Sequence, residues 1–167
     1  FLLLGLYWGL ILAPPDYKQG DVFRILYIHV PSAIMGESIF IFMAFCGFIN
    51  VIWRAKISGM MIKSAAPIGM SFVLLTLLTG SIWGKPTWGT WWVWDARLTS
   101  TLILFFIYMA LIGLHSTIDD KTKADRAVSI LAIVGVAIIP VIKKSVDWWQ
   151  TLHPVSYTHL RAHETSR

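Results

Sequence analysis

Apolar runs of near membrane-crossing length, separated by short polar breaks, constrain this chain more than any other feature. They cover roughly residues 27–53, 64–83, 98–118 and 127–142, the last extendable through Val146. A fifth run, 1–13, is apolar from the first residue. A helix needs about 20 residues to cross the hydrocarbon of a bilayer. Only 14% of the chain is charged while 56% is hydrophobic, against roughly 25% charged in a soluble domain. The expected fold is therefore all-α, a polytopic integral membrane helix bundle.

Run 1–13 is shorter than a crossing and lacks a basic leader or small-residue cleavage site, so it reads as a truncated helix and not as a signal peptide. Pro31 and Pro67 suit first turns, where a missing N–H costs nothing. Pro140 is expected to kink the last run. The net charge of +5 comes without a dense Lys/Arg stripe, which fits loops beside anionic lipid and excludes nucleic acid as a partner. Cys46 is the one cysteine, so no internal disulfide or C-x-x-C-H haem-attachment motif exists; it reads as a packing residue.

Alternation of spanning helices puts loops 14–26, 84–97 and 143 onward on one side, and loops 54–63 and 119–126 on the other. The tryptophan-rich stretch "WGKPTWGTWWVWDARLTS" (83–100), His29 and His153 then share one membrane face. Loops 54–63 and 119–126 carry three basic residues each, against the pairs Lys18 and Arg24, Lys85 and Arg97, and Lys143 and Lys144 on the opposite side. The positive-inside rule thus places the tryptophan face outside the cytoplasm.

Within that stretch Trp88, Trp91, Trp92 and Asp95 follow i, i+3, i+4, i+7 spacing. A short interfacial helix there, limited by Gly84, Pro86 and Gly89, would put them on one face. Periodicity alone fits two readings equally. One is an aromatic belt at headgroup depth. The other is a platform for a large planar ligand, with Arg97 or Lys85 pairing with its carboxylates. The histidines favour the second. His29 in "YIHVPSA" and His153 in "SVDWWQTLHP" lie on the platform side, each beside aromatics. Two neutral imidazoles suit axial ligation of a haem iron, and their ligation should weaken at acid pH. Zinc fits less well, since no third ligand stands at metal spacing. His115, at the end of run 98–118 on the opposite side, reads as a helix-end residue.

The tryptophan-rich stretch resembles the "WWD" signature of haem-handling membrane proteins, and most closely that of the haem exporter protein C family. "APPDYKQGDVFRILYIHVPSA", "APIGMSFVLLTLLTGSIWGKP" and "SVDWWQTLH" are similar to further segments of that family, so the likeness runs from about residue 1 to His153. The resemblance implies a six-helix protein of the bacterial inner membrane, with the mitochondrial inner membrane as the alternative, whose aromatic loop faces the periplasm. It implies a b-type haem ligated by His29 and His153. The signature positions are Trp83, Trp88, Trp91, Trp92, Trp94, Asp95 and Arg97, with Arg24 as a propionate partner from the neighbouring loop. It further implies delivery of haem to the chaperone protein E, and association with the small membrane protein D and the ABC-type subunits A and B.

Five helices are visible against the family's six, the first truncated and the sixth absent. Residues 1–154 read as the transmembrane haem-handling domain and 155–167 as a non-native-looking polar tail, so that His159 and His163 are not counted as ligands. Glu37, about two turns below His29 inside run 27–53, is an intramembrane carboxylate, expected to be neutral or locally hydrogen-bonded. No phosphate-binding G-x-x-x-x-G-K-[ST] motif occurs, so energy for haem release must come from partners. The expected function is haem binding and delivery, not catalysis. The alternatives are a haem lyase-type synthetase component and a non-haem channel or transporter subunit.

Overall fold

The computed structural model describes residues 1–148, with side chains described through Lys144. The polar tail 155–167 lies outside the described residues. Helix α1 (Leu2–Tyr7) continues into a π-helical turn, Trp8–Leu12. After a loop and a 3-10 turn (Asp21–Ile25) come α2 (Leu26–Trp53), α3 (Lys56–Trp88), α4 (Ala96–Thr117), α5 (Lys121–Gly135) and α6 (Ile138–Trp148). Four stretches, Asp21–Trp53, Lys56–Trp88, Ala96–Thr117 and Lys121–Lys144, are long and apolar enough to cross a membrane. The chain is a multi-pass membrane protein with an all-α bundle.

Helix α2 matches its apolar run closely, but α3 does not stop where its run stops. It takes in much of the expected loop 54–63 and continues past Trp83 to Trp88. A helix satisfies its own backbone groups whatever the polarity of its side chains, so loss of hydrophobicity does not end it. What ends these helices is a left-handed residue: Arg54 (φ 52°) after α2 and Gly89 (φ 80°) after α3. Gly89 tolerates that φ because it lacks a Cβ, and its N–H closes on the Lys85 carbonyl at 3.0 Å.

The expected interfacial helix over 88–95 is not formed. Trp88 is the last residue of α3, and the chain runs without helix from Gly89 to Asp95. Pro31 and Pro67 are likewise not first-turn residues. They are the sixth residue of α2 and the twelfth of α3, and both helices continue through them. Pro140 does act as expected. The chain breaks at Val136–Ala137, and Pro140 is the third residue of α6, where no intrahelical N–H is needed.

Helix α2 packs along α3 and also against α5, α3 packs on α4, and α4 packs on α5 and α6. The core is built from Phe40, Met43, Ile62, Val73, Leu104, Tyr108, Leu111 and Val128. Tyr108 is fully buried, stacks edge-on to Phe40 (5.1 Å between centroids) and donates to the Gly36 carbonyl at 2.8 Å. Its ring end lies so close to Gly69 that a Cβ there would collide with it. Cys46 is buried in the same core, in keeping with a packing role.

Small polar side chains are turned inward while large apolar ones face out. Ser32, Asn50, Thr76, Thr79 and Ser129 are buried, whereas Ile41, Phe45, Phe48, Ile68, Leu78 and Phe106 are exposed. That distribution suits a lipid environment, where helices associate through small residues and internal hydrogen bonds. Asn50 is one such link, donating to Ser129 Oγ (2.9 Å) and to the Asp125 carbonyl (3.1 Å) on α5. His115 sits beside Asp125 at 3.2 Å at that same end, joining α4 to α5 where a helix-end role was expected.

Candidate functional site

At the other end of the bundle a cavity of about 290 Å³ opens between α2, α3, α4 and α6. Helix α2 contributes His29, Ala33 and Glu37, one stripe at four-residue spacing. Helix α3 contributes Thr76, Gly80, Trp83 and its last residue, Trp88. The first turns of α4 add Arg97 and Thr101, and α6 adds Ile142 and Lys143. The expectation that His29 and the tryptophan-rich stretch share one end therefore holds.

His29 is buried. Its Nδ1 lies 3.0 Å from Thr79 Oγ1, and its ring meets Trp83 edge-to-face at 5.7 Å. Trp83 is only 3% exposed, and its indole N–H donates to Gln19 Oε1 at 2.9 Å, which ties the loop before α2 to α3. The Trp88 and Trp92 indole nitrogens are buried with no hydrogen-bond partner among the described residues. A buried N–H donor is rarely left so, and at Trp88, on the cavity wall, an acceptor on a ligand would satisfy it.

The tryptophans do not form one flat shelf. Trp83 and Trp88 line the cavity, and Trp92 packs against the core. Trp91 and Trp94 are exposed, Trp94 by 76%, with Trp92 and Trp94 edge-to-face at 5.6 Å. Without a helix over 89–95, the i, i+3, i+4 register cannot bring them to one face. Lys85 Nζ stands 5.8 Å from the centre of the Trp91 ring and also donates to the Gly89 carbonyl, which steadies the loop.

Asp95 is the N-cap of α4, its carboxylate accepting from the Leu98 N–H at 2.7 Å. This cap fixes the start of the helix that carries Arg97. Asp95→Ala is expected to cost about 1 kcal/mol and to loosen Arg97, while Asp95→Asn, an equally good cap, keeps both stability and ligand binding. Thermal unfolding in detergent and a binding titration check the pair. A loss of binding in Asp95→Asn with unchanged stability would show that the charge itself acts on the ligand.

Arg24 does not line the cavity. Its Nη1 donates to the Leu10 and Ile11 carbonyls (2.6 and 2.9 Å), and its Nε lies 3.1 Å from the Asp21 carboxylate, so it secures the C-terminal end of the first apolar helix. His153 lies outside the described residues, as does Trp149. Glu37 is not held within its own helix: its Oε2 lies 2.6 Å from Lys143 Nζ on α6. Lys143, read from sequence as a loop residue, is on α6 at the cavity wall. Among the described residues no group of three or more His, Cys, Asp or Glu could hold a bare metal ion. One imidazole beside aromatic walls and a guanidinium is instead suited to a metal carried in an organic ring.

Thr79, Gln19 and Lys143 were not singled out from sequence. Thr79 carries a faint signal, a hydroxyl one turn before Trp83 on the same helix face, but only the pairing of α2 with α3 brings it to His29.

Comparison with known proteins gives a consistent result. The family model described as "Heme exporter protein C" matches residues 1–166. "Heme exporter protein C" of Escherichia coli K12 is 49% identical over 152 residues, covering 91% of this chain and 62% of that protein. Its counterpart in Haemophilus influenzae is 48% identical over 150 residues, 90% of this chain and 61% of that protein. A "Putative cytochrome c biosynthesis ccmC-like mitochondrial protein" of Marchantia polymorpha is 46% identical over 153 residues, 92% of this chain and 64% of that protein. The chain thus spans somewhat under two thirds of the length of these relatives.

Proposed function

The chain belongs to the haem exporter protein C family, and from that premise we propose that it binds haem at the His29 cavity and delivers it for cytochrome c maturation. The observation that carries this reading is the convergence of His29, Trp83, Trp88 and Arg97 on one cavity. Haem is the cargo. His29 supplies one axial nitrogen and His153, beyond the described residues, the other, giving a bis-histidine b-type site. Arg97 takes a propionate from the cavity wall. Arg24, engaged with the Leu10 and Ile11 carbonyls, reaches a propionate only by leaving them.

The cavity volume, about 290 Å³, is at the lower end of the roughly 300–1,000 Å³ of small-molecule sites. A space of that size takes in one side of a porphyrin and leaves the opposite edge outside. An exposed edge is what transfer to a partner requires. The partner is the haem chaperone protein E, on the periplasmic side of a bacterial inner membrane, with protein D and the ABC-type subunits A and B completing the assembly. Release is driven by nucleotide hydrolysis in those subunits, and this chain acts as a delivery component without catalysis of its own.

The test is a visible absorption spectrum of the full-length protein purified with haem supplied, followed by mixing with the chaperone. A six-coordinate haem spectrum that decays as the chaperone gains haem is expected. A colourless protein identifies a channel or transporter subunit instead. Maturation of an apocytochrome with no other protein present identifies a synthetase. Either result overturns the proposal.

A further inference from the structure

One ring nitrogen of His29, Nδ1, has a neighbour whose protons can be counted. Nδ1 lies 3.0 Å from Thr79 Oγ1. A threonine hydroxyl has one proton to give and two lone pairs to receive with. Thr79 Oγ1 also lies 2.7 Å from the Leu75 carbonyl, one turn back on α3, and 3.2 Å from the Thr76 carbonyl. Carbonyls only accept, so the single proton of Thr79 is directed at Leu75. Were it turned towards His29, two electronegative oxygens would face each other at 2.7 Å with nothing between them. The hydroxyl must therefore receive from His29, and the proton of the neutral imidazole sits on Nδ1.

We propose that Thr79 is a positioning residue for His29: by accepting from Nδ1 it holds the imidazole in the Nδ1–H tautomer and keeps the lone pair on Nε2, the nitrogen presented to an iron. The proposal rests on the reading of His29 as a haem ligand and extends it to the residue that prepares the ligand. Metal-binding imidazoles are commonly oriented in this way, through a hydrogen bond from the nitrogen that does not bind. The surroundings hold the ring as well as its proton. At Gly80 the backbone of α3 comes so close that an added Cβ would stand 3.1 Å from His29 Cε1, and Trp83 meets the ring edge-to-face. Three residues of one helix, Thr79, Gly80 and Trp83, thus hold a side chain of the neighbouring helix. Thr79 makes its bond to Leu75 by the ordinary backward reach of a helical threonine, so its proton is already in place before any ligand arrives.

The experiment uses the full-length protein in detergent, with 15N-labelled histidine and no haem. Long-range proton–nitrogen spectra report which ring nitrogen is protonated, and the His29 signal is identified by its loss in His29→Ala. The parent is expected to carry the proton on Nδ1. Thr79→Val keeps the shape but removes the acceptor; it is expected to shift His29 towards the Nε2–H tautomer and to weaken haem binding roughly ten- to hundredfold. Thr79→Ser is expected to restore both, which separates the hydroxyl from any packing effect. A parent protonated on Nε2, or a Thr79→Val protein with an unchanged tautomer, overturns the proposal. If His29→Ala itself binds haem as well as the parent does, the haem-ligand reading fails, and the spectra of the haem-free protein still decide the tautomer.

Discussion

His29→Ala is expected to lower the haem affinity of the full-length protein roughly 100-fold or more, beyond the ten- to hundredfold typical of changes one shell further out. On the proposed reading the substitution removes an axial nitrogen that no neighbour can replace, because among the described residues the cavity is lined by no other histidine and by no cysteine or methionine. The fold should tolerate it. Thr79 keeps its bond to the Leu75 carbonyl, so no buried hydroxyl is stranded, and the vacated space joins an existing cavity. The lost hydrogen bond contributes about 1 kcal/mol. A haem titration followed by absorption, run beside thermal unfolding, separates the two effects. His29→Gly with imidazole added to the buffer should recover the six-coordinate spectrum, since the small molecule can occupy the place of the missing ring. An affinity within a factor of a few of the parent would remove His29 from the site.

Gly69→Val is expected to have the largest effect on stability, about 3 kcal/mol, combining overpacking with a lost buried hydrogen bond. The physical cause lies across the helix pair. The Tyr108 ring end occupies the space where a side chain at residue 69 would begin, and its hydroxyl is bonded to the Gly36 carbonyl. Tyr108 is wholly buried among packed side chains, so it cannot rotate aside without emptying its own place in the core. A valine would push α3 and α4 apart and leave the Gly36 carbonyl without its tyrosine. Thermal unfolding in detergent measures the change. The double variant Gly69→Val with Tyr108→Ala should be less destabilised than the sum of the two single variants, because the second substitution makes room for the first. Additive effects would mean that the two residues do not meet.

The spans and the shared end of His29 and the tryptophans were legible in the sequence because they depend on hydrophobic run length and on parity, both one-dimensional. The end of α2 before Arg54 was legible too, but the ends of α3 were not. Gly89 stops α3 five residues past the end of the apolar run by adopting positive φ, and a hydropathy boundary carries no trace of that. The platform geometry was misread for a related reason. Helical spacing over 88–95 has meaning only where there is a helix, and Gly89 ends it at the first tryptophan of the set. Asp95, grouped with the ligand-binding residues on its place in the signature, is engaged in capping α4, a role that the short motif does not distinguish from ligand binding. Glu37 was recognisable as unusual, but its partner lies on α6, and no local pattern joins residues so far apart. Thr79 was hidden for the same reason.

The interruption at Val136–Ala137 changes what governs the direction of α6. A continuous rod from Lys121 onward would pass every tilt of α5 to its far end. With the chain turned there, α6 takes its heading from α4, its main packing neighbour, and from the carboxylate of Glu37 on α2. Helix α6 is thus tied to the walls of the cavity on α4 and α2 as well as to the stretch of chain that precedes it.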